Sequence, residues 1–111
     1  MGALYIMRYL GQEDSGMGSV YFGKGMIVGS DIGGIRYRGT YREAGGRVKG
    51  NMTMTAAEGP ATLVTGRTLP TGHSVPLAID WPSNFYNGST QQVYVMGRPI
   101  RVTFEKIADI P

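Results

Sequence analysis

Eighteen of the 111 residues are glycine, more than twice the average share of about 7%. The glycines are scattered between short apolar runs and do not recur at every third position, which excludes a collagen-like chain. Because glycine adopts the positive φ angles that tight turns need, this spacing predicts many short strands joined by tight turns. It therefore favours an all-β fold.

Nine strands are predicted between the turn residues, at 2–10, 17–22, 26–28, 35–42, 47–56, 61–65, 73–81, 90–96 and 100–107. The connector at 29–34 has room for one helical turn, and no segment has the spacing of a long amphipathic helix. Short turns between successive strands predict a single domain over 1–111, a small antiparallel up-and-down barrel of about eight strands, with a sandwich as the alternative. Pro76 predicts that its strand lies at an edge, a bulge or a strand end.

The hairpin formed by 35–42 and 47–56 has the most definite register. Its first strand places apolar residues at odd positions and its second at even positions. A turn centred on Gly45 and Gly46 pairs residues whose numbers sum to 91, so that Tyr41 faces Gly50 and Arg42 faces Lys49. Odd-numbered residues of the first strand then lie opposite even-numbered residues of the second, so the two apolar sets share one face of the sheet.

Composition excludes several classes of site and location. The chain has no cysteine, which excludes a disulfide scaffold, a zinc–thiolate site and a cysteine nucleophile. No apolar stretch approaches the roughly 20 residues of a membrane helix, and residues 1–8 lack the pattern of a signal peptide. We therefore expect a cytoplasmic protein that has no membrane segment and needs no cofactor.

Catalytic residues are scarce. His73 is the only histidine, and Ser74 and Asp80 on the same predicted strand are the possible partners of a hydrolase triad. Because neighbouring residues of a strand point to opposite faces, His73 and Ser74 should diverge. One histidine and scattered carboxylates also cannot supply a zinc site. We therefore expect no catalytic residues, no metal site and no enzymatic activity.

The turn at 29–34 contains an aspartate between glycines. Asp31 can accept hydrogen bonds from backbone N–H groups two or three residues further on, which would fix the turn together with Gly33 and Gly34. We interpret these three residues as structural.

The polar face of the 35–56 hairpin is basic, with Arg36, Arg38, Arg42, Arg47 and Lys49. Like charges across a hairpin repel one another, unless they are solvated or paired with Glu43 and Glu58. The alternative is a surface for an anion or an acidic partner. Tyrosines point to the other face, so nothing stacks between the cations and we do not expect nucleic acid as the partner.

The apolar face is rich in tyrosine and methionine. It is either an ordinary core or the wall of a cavity for a small amphipathic or apolar molecule. The candidate cavity residues are Tyr5, Met7, Tyr21, Tyr37, Tyr41, Met52, Met54 and Phe104.

The first half of the chain resembles the GrlR-like proteins, which are named for a negative regulator of type III secretion genes in enteric bacteria. The resemblance lies in the opening strand 2–9, in Gly29-Ser30-Asp31-Ile32, and in Tyr37-x-Gly39-Thr40-Tyr41, and it covers about residues 2–56. It implies a lipocalin-like barrel with an apolar cavity, a homodimer, and regulation through contact with a transcriptional activator. The acidic run that makes this contact in the family corresponds here to 42–46, where Glu43 is the single acid, so the activator-binding role is not carried over.

Together these observations predict a non-enzymatic regulatory or binding module of bacterial type that acts by protein–protein contact. The first alternative is a carrier or sensor of a small apolar ligand in the barrel. The second is a small barrel enzyme that uses His73 or Asp80.

Overall fold

The computed structural model describes residues 2–12 and 14–111, which form ten β-strands. The strands are β1 (Gly2–Leu10), β2 (Ser15–Gly23), β3 (Met26–Asp31), β4 (Ile35–Ala44), β5 (Arg47–Ala56), β6 (Ala61–Thr62), β7 (Thr68–Leu69), β8 (Ser74–Pro82), β9 (Thr90–Val95) and β10 (Arg98–Ile110). No helix in the described part of the chain is long and apolar enough to cross a membrane.

Eight strands form one antiparallel sheet in the order β8-β5-β4-β3-β2-β1-β10-β9, and β6 and β7 form a separate small hairpin. The two outermost strands, β8 and β9, come close to each other without forming a ladder. Across this gap the Trp81 indole N–H donates to the Gln92 carbonyl at 3.4 Å. The sheet is thus an up-and-down barrel that is nearly closed, as the sequence predicts. Pro76 lies in β8, where it needs no ladder partner on the open side.

The predicted register of the β4–β5 hairpin is confirmed. Tyr41 pairs with Gly50 and Arg42 with Lys49. Side chains alternate between the core and the outside along both strands. The alternation arises because successive side chains of a strand point to opposite faces, and only one face of each strand is turned into the barrel.

Several predicted boundaries are wrong. Residues 29–31 continue β3, and the connector has no helical turn. The predicted strand 61–65 is reduced to two residues that pair with β7. The turn expected at 97–99 lies instead at Met96 and Gly97, with φ of 53° and 82°. Two positive φ angles match the right-handed twist of the flanking strands, and methionine at such a position gives no sequence signal for the turn.

Glycines have a second role that the sequence reading missed. Nine of the eighteen have positive φ, as expected of turns. Others, such as Gly39 and Gly50, lie inside strands at inward positions. A Cβ atom at either glycine would clash with a carbonyl oxygen of the neighbouring strand. These residues let the strands approach closely where the sheet curls into a barrel.

Both ends of the barrel are filled by side chains from loops. At the end that holds the β4–β5 turn, Phe85 of the loop 83–89 packs against Phe22, Trp81 and Phe104, with ring centroids 5.0–5.6 Å apart. At the opposite end the segment 57–73 contributes Leu63 and Val64 to the core. The barrel is therefore covered at both ends.

Candidate functional site

A small cavity of about 70 Å³ remains inside the barrel, beneath the segment 57–73. Pockets for drug-sized ligands have volumes of about 300–1,000 Å³, so most of the interior is packed core. Five of the eight candidate cavity residues line it, namely Met7, Tyr37, Met52, Met54 and Phe104.

The three other candidates lie elsewhere. Tyr5 and Tyr41 point inward, but they pack against Phe22 near the opposite end of the barrel, with centroids 5.9 and 5.4 Å away. Tyr21 faces outward, since Val20 and Phe22 on either side of it are buried. Its ring lies over Gly23, which has no side chain to exclude it. The assignment of Tyr21 to the interior is therefore wrong.

Beside the cavity, Asp31 accepts four hydrogen bonds. Its Oδ1 accepts from the backbone N–H groups of Gly33 at 2.9 Å and Ile35 at 3.1 Å. This agrees with the structural role expected for the turn. Gly34, with φ of 86°, completes the turn by donating its N–H to the Asp31 carbonyl at 3.2 Å.

The other oxygen, Oδ2, accepts from the phenols of Tyr9 at 2.5 Å and Tyr37 at 2.7 Å. Sequence reasoning missed these partners. The sequence feature that indicates them is a pair of inward-facing glycines in β2, the strand between β1 and β3, because glycines there leave room for side chains from both neighbouring strands. A Cβ at Gly16 would collide with the Tyr9 ring, and one at Gly18 with Asp31.

Burial and the neighbouring Asp31 carboxylate raise the pKa of both phenols. Burial raises the pKa of Tyr37, and the negative charge of Asp31 raises it further. Burial also raises the pKa of Tyr9, with the hydrogen bond to Asp31 adding to the shift. A carboxylate has about four acceptor positions, and here all four are occupied. Asp31 therefore ties together β1, β3 and β4 and has no acceptor position left for a substrate.

The residues of the enzyme alternative do not meet. His73 and Asp80 are both exposed, and they are seven positions apart along an extended segment, which is about 23 Å. The carboxylate of Asp80 accepts from Arg47 Nε at 3.0 Å, and the Ser74 hydroxyl is 2.7 Å from that of Thr55. Neither His73 nor Asp80 lines the cavity. In the described ranges no three His, Cys, Asp or Glu side chains are grouped to hold a metal ion.

The five basic candidates lie together on the outside of β4 and β5. Two of them form ion pairs, Arg36 with Glu58 at 3.3 Å and Arg47 with Asp80 at 3.0 Å. The remaining three, Arg38, Arg42 and Lys49, have no acidic partner within 4 Å among residues 2–12 and 14–111. Glu43, expected as a partner, lies on the opposite face of β4 from Arg42.

The outside of β1–β3 carries six apolar or aromatic side chains, with Ser19 and Ser30 between them and Arg8 beside Met17. Met17, Met26 and Val28 are 42%, 51% and 40% exposed. Leu4, Ile6 and Tyr21 are half-buried beside them. Register places Leu4, Tyr21 and Val28 in one row across the three strands. We call these six residues the outer apolar face.

The fold and its filled interior define the class of this protein as a small up-and-down β-barrel with covered ends. Comparison with models of known protein families and with curated protein sequences found no match.

Proposed function

We propose that the protein is a non-enzymatic regulatory module that acts by protein–protein contact, as expected from its resemblance to the GrlR-like proteins. The observation that carries this proposal is the outer apolar face, which exposes large side chains on three adjacent strands. Scattered apolar side chains are normal on a protein surface, whereas contiguous ones mark contact surfaces.

The occupant of this face is a second copy of the chain. The six residues of the outer apolar face are uncharged, so two copies related by a twofold axis bring apolar side chains onto apolar side chains. Arg36 and Arg38 lie on the next strand, β4, with their side chains outward. They remain at the rim of such a dimer, where charged side chains stay solvated.

Site-specific photo-crosslinking tests the proposal. A photoreactive phenylalanine in place of Val28, an exposed residue of the face, is introduced into the protein in its own host. The matched control carries it in place of Tyr94, which is 61% exposed on β9. We expect irradiation to give an adduct of twice the 12.0 kDa chain mass at position 28. Absence of any adduct at position 28, or equal yields at positions 28 and 94, would refute the proposal.

A second candidate function, a carrier or sensor of a small apolar ligand, is favoured by the cavity. Three of its lining residues are methionines, whose flexible side chains adapt to a guest. Xenon is a suitable probe, because it enters dry apolar cavities. We expect it to shift the methyl NMR signals of Met52 and Met54 and to leave that of the exposed Met26 unchanged. Unchanged Met52 and Met54 signals would remove this candidate.

A further inference from the structure

Three cations on the outside of the barrel, Arg38, Arg42 and Lys49, form what we call the basic triplet. The register of β4 and β5 places Arg42 directly opposite Lys49. Like charges directly opposite each other destabilise a sheet. The fold alone gives no reason for this repulsion.

Neighbouring acids do not relieve it. Asp80 is the cross-strand neighbour of Lys49 on β8. Its carboxylate is, however, engaged by Arg47 Nε, while the Arg47 Nη2 group donates to the Asp80 backbone carbonyl at 3.0 Å. The acid that faces Lys49 thus forms its ion pair with a cation outside the triplet, and no acid of the described chain lies within 4 Å of the triplet. An anion from another molecule would remove the repulsion and add charge-assisted hydrogen bonds.

The side chains between the cations of the triplet are mostly short and uncharged, whereas Arg36, Arg47 and Asp80 lie around them on the same outer face. Short side chains surround the cations on the same outer face, with Thr40 on β4, Asn51 and Thr53 on β5, and Ala78 on β8. Such a surface lets the backbone of a partner come close. Along β4, Arg38 and Arg42 are four residues apart, which is about 13 Å. With both side chains extended straight out from the sheet, a ligand that neutralises both carries two anionic groups at about that separation.

The chemistry of the face favours an acidic protein segment over a nucleic acid. Single-stranded nucleic acids bind where aromatic side chains stack on bases between the cations. The tyrosines of β4 cannot do this, since Tyr37 is 5% exposed and the Tyr41 ring packs inside the barrel against Phe22. Carboxylates spaced along a peptide match the triplet without needing such a platform.

We propose that the basic triplet docks an acidic segment of a partner protein. The proposal rests on the proposed function, because it supplies a second contact at the rim of the dimer. The partner is recognised by carboxylates about 13 Å apart along an exposed segment. Contacts of this kind increase the rate of association and weaken as salt concentration rises.

A fluorescent peptide tests the docking. The probe is a 16-residue peptide of alternating Glu and Ser, and its anisotropy is measured against the full-length protein at 20 and 200 mM NaCl. We expect saturable binding at low salt. The double substitution Arg38→Glu and Arg42→Glu should weaken it at least about tenfold. The matched control, Arg98→Glu with Arg101→Glu on β10, makes the same change in net charge and should weaken it less than about threefold.

Three outcomes would overturn the proposal. The first is that the peptide does not bind. The second is that the two double variants weaken peptide binding equally. The third is that a 16-nucleotide oligothymidine binds more tightly than the peptide. Circular dichroism of each variant shows whether it remains folded. Failure here is distinguishable from failure of the proposed function, since the Val28 adduct is measured in the protein with Arg38 and Arg42 intact and without the peptide.

Discussion

Removal of the Asp31 carboxylate should be among the most damaging single substitutions outside the apolar core. In Asp31→Ala, four hydrogen bonds disappear at once, two from backbone N–H groups and two from phenols. A hydrogen bond contributes about 1 kcal/mol net, and more when one partner is charged. Because Asp31 is partly exposed, we take the lower value. The expected loss is then about 4 kcal/mol, within a total stability of about 5–15 kcal/mol.

Urea unfolding followed by tryptophan fluorescence measures this loss. Trp81 is the only tryptophan and is 2% exposed, so its emission should report loss of the core. The amide of Asp31→Asn keeps one acceptor oxygen, so we expect about half the effect. The matched control is Asp80→Ala, which removes a carboxylate from an exposed pair with Arg47 and should cost less than about 1 kcal/mol.

A double-mutant cycle separates the phenol contacts from the turn. Tyr37→Phe removes one donor, and its cost in the Asp31→Ala background should be smaller than in the wild type, because the shared hydrogen bond is already gone. If Asp31→Ala costs no more than Asp80→Ala, or if the cycle shows no coupling, the four-bond account of Asp31 is wrong.

Three further predictions concern packing and pH. Phe85→Ala should destabilise the fold by about 3–5 kcal/mol, measured by thermal or urea unfolding, because it empties one end of the barrel. Gly50→Ala should cost at least about 1–3 kcal/mol, because the new Cβ meets a backbone oxygen, whereas Gly33→Ala should cost less in the same assay, because its Cβ would meet only a side-chain oxygen of Asp31, at 3.3 Å. The pKa values of Tyr9 and Tyr37 are raised in the folded state, so above about pH 10 the unfolded chain loses protons that the folded protein keeps. The free energy of unfolding should therefore fall by up to about 1.4 kcal/mol per pH unit for each tyrosine. Tyr37→Phe should flatten that decline in urea titrations between pH 9 and 11, and an unchanged slope would contradict the assignment.

The sequence predicts the barrel best where two strands constrain each other. In the 35–56 hairpin, alternation on both strands and two adjacent turn glycines leave one register that puts both apolar sets on one face. Where only one strand carries information, the prediction is weaker. The turn at Met96 and Gly97 is an example of such a weak prediction. The flanking strands impose a positive φ on Met96, and methionine does not prefer that conformation.

The environment of Asp31 could be predicted only in part. Its bonds to Gly33 and Ile35 are local, and residue type and spacing indicate a turn of this kind. The bonds to Tyr9 and Tyr37 depend on the register of β1 on β2 and of β2 on β3, which no local pattern specifies. The predicted strand at 61–65 is wrong for a related reason. Its apolar residues read as a strand, although Leu63 and Val64 are buried because they cover the end of the barrel.

The balance of satisfied and unsatisfied groups differs between the interior of the barrel and its outer surface. An eight-stranded barrel is just wide enough to be filled by its own side chains, and here the loops that hold Phe85 and Leu63 fill it from both ends. The polar cluster beside the remaining cavity already satisfies its carboxylate fully. On the outside, by contrast, Arg42 faces Lys49 and neither has an acidic group within 4 Å in the described chain, and Val28 lies exposed next to Arg38. Since binding gains most where the free protein leaves repulsion and apolar surface exposed, the outer surface of β1–β5 has more to gain from a partner than the interior has from a ligand.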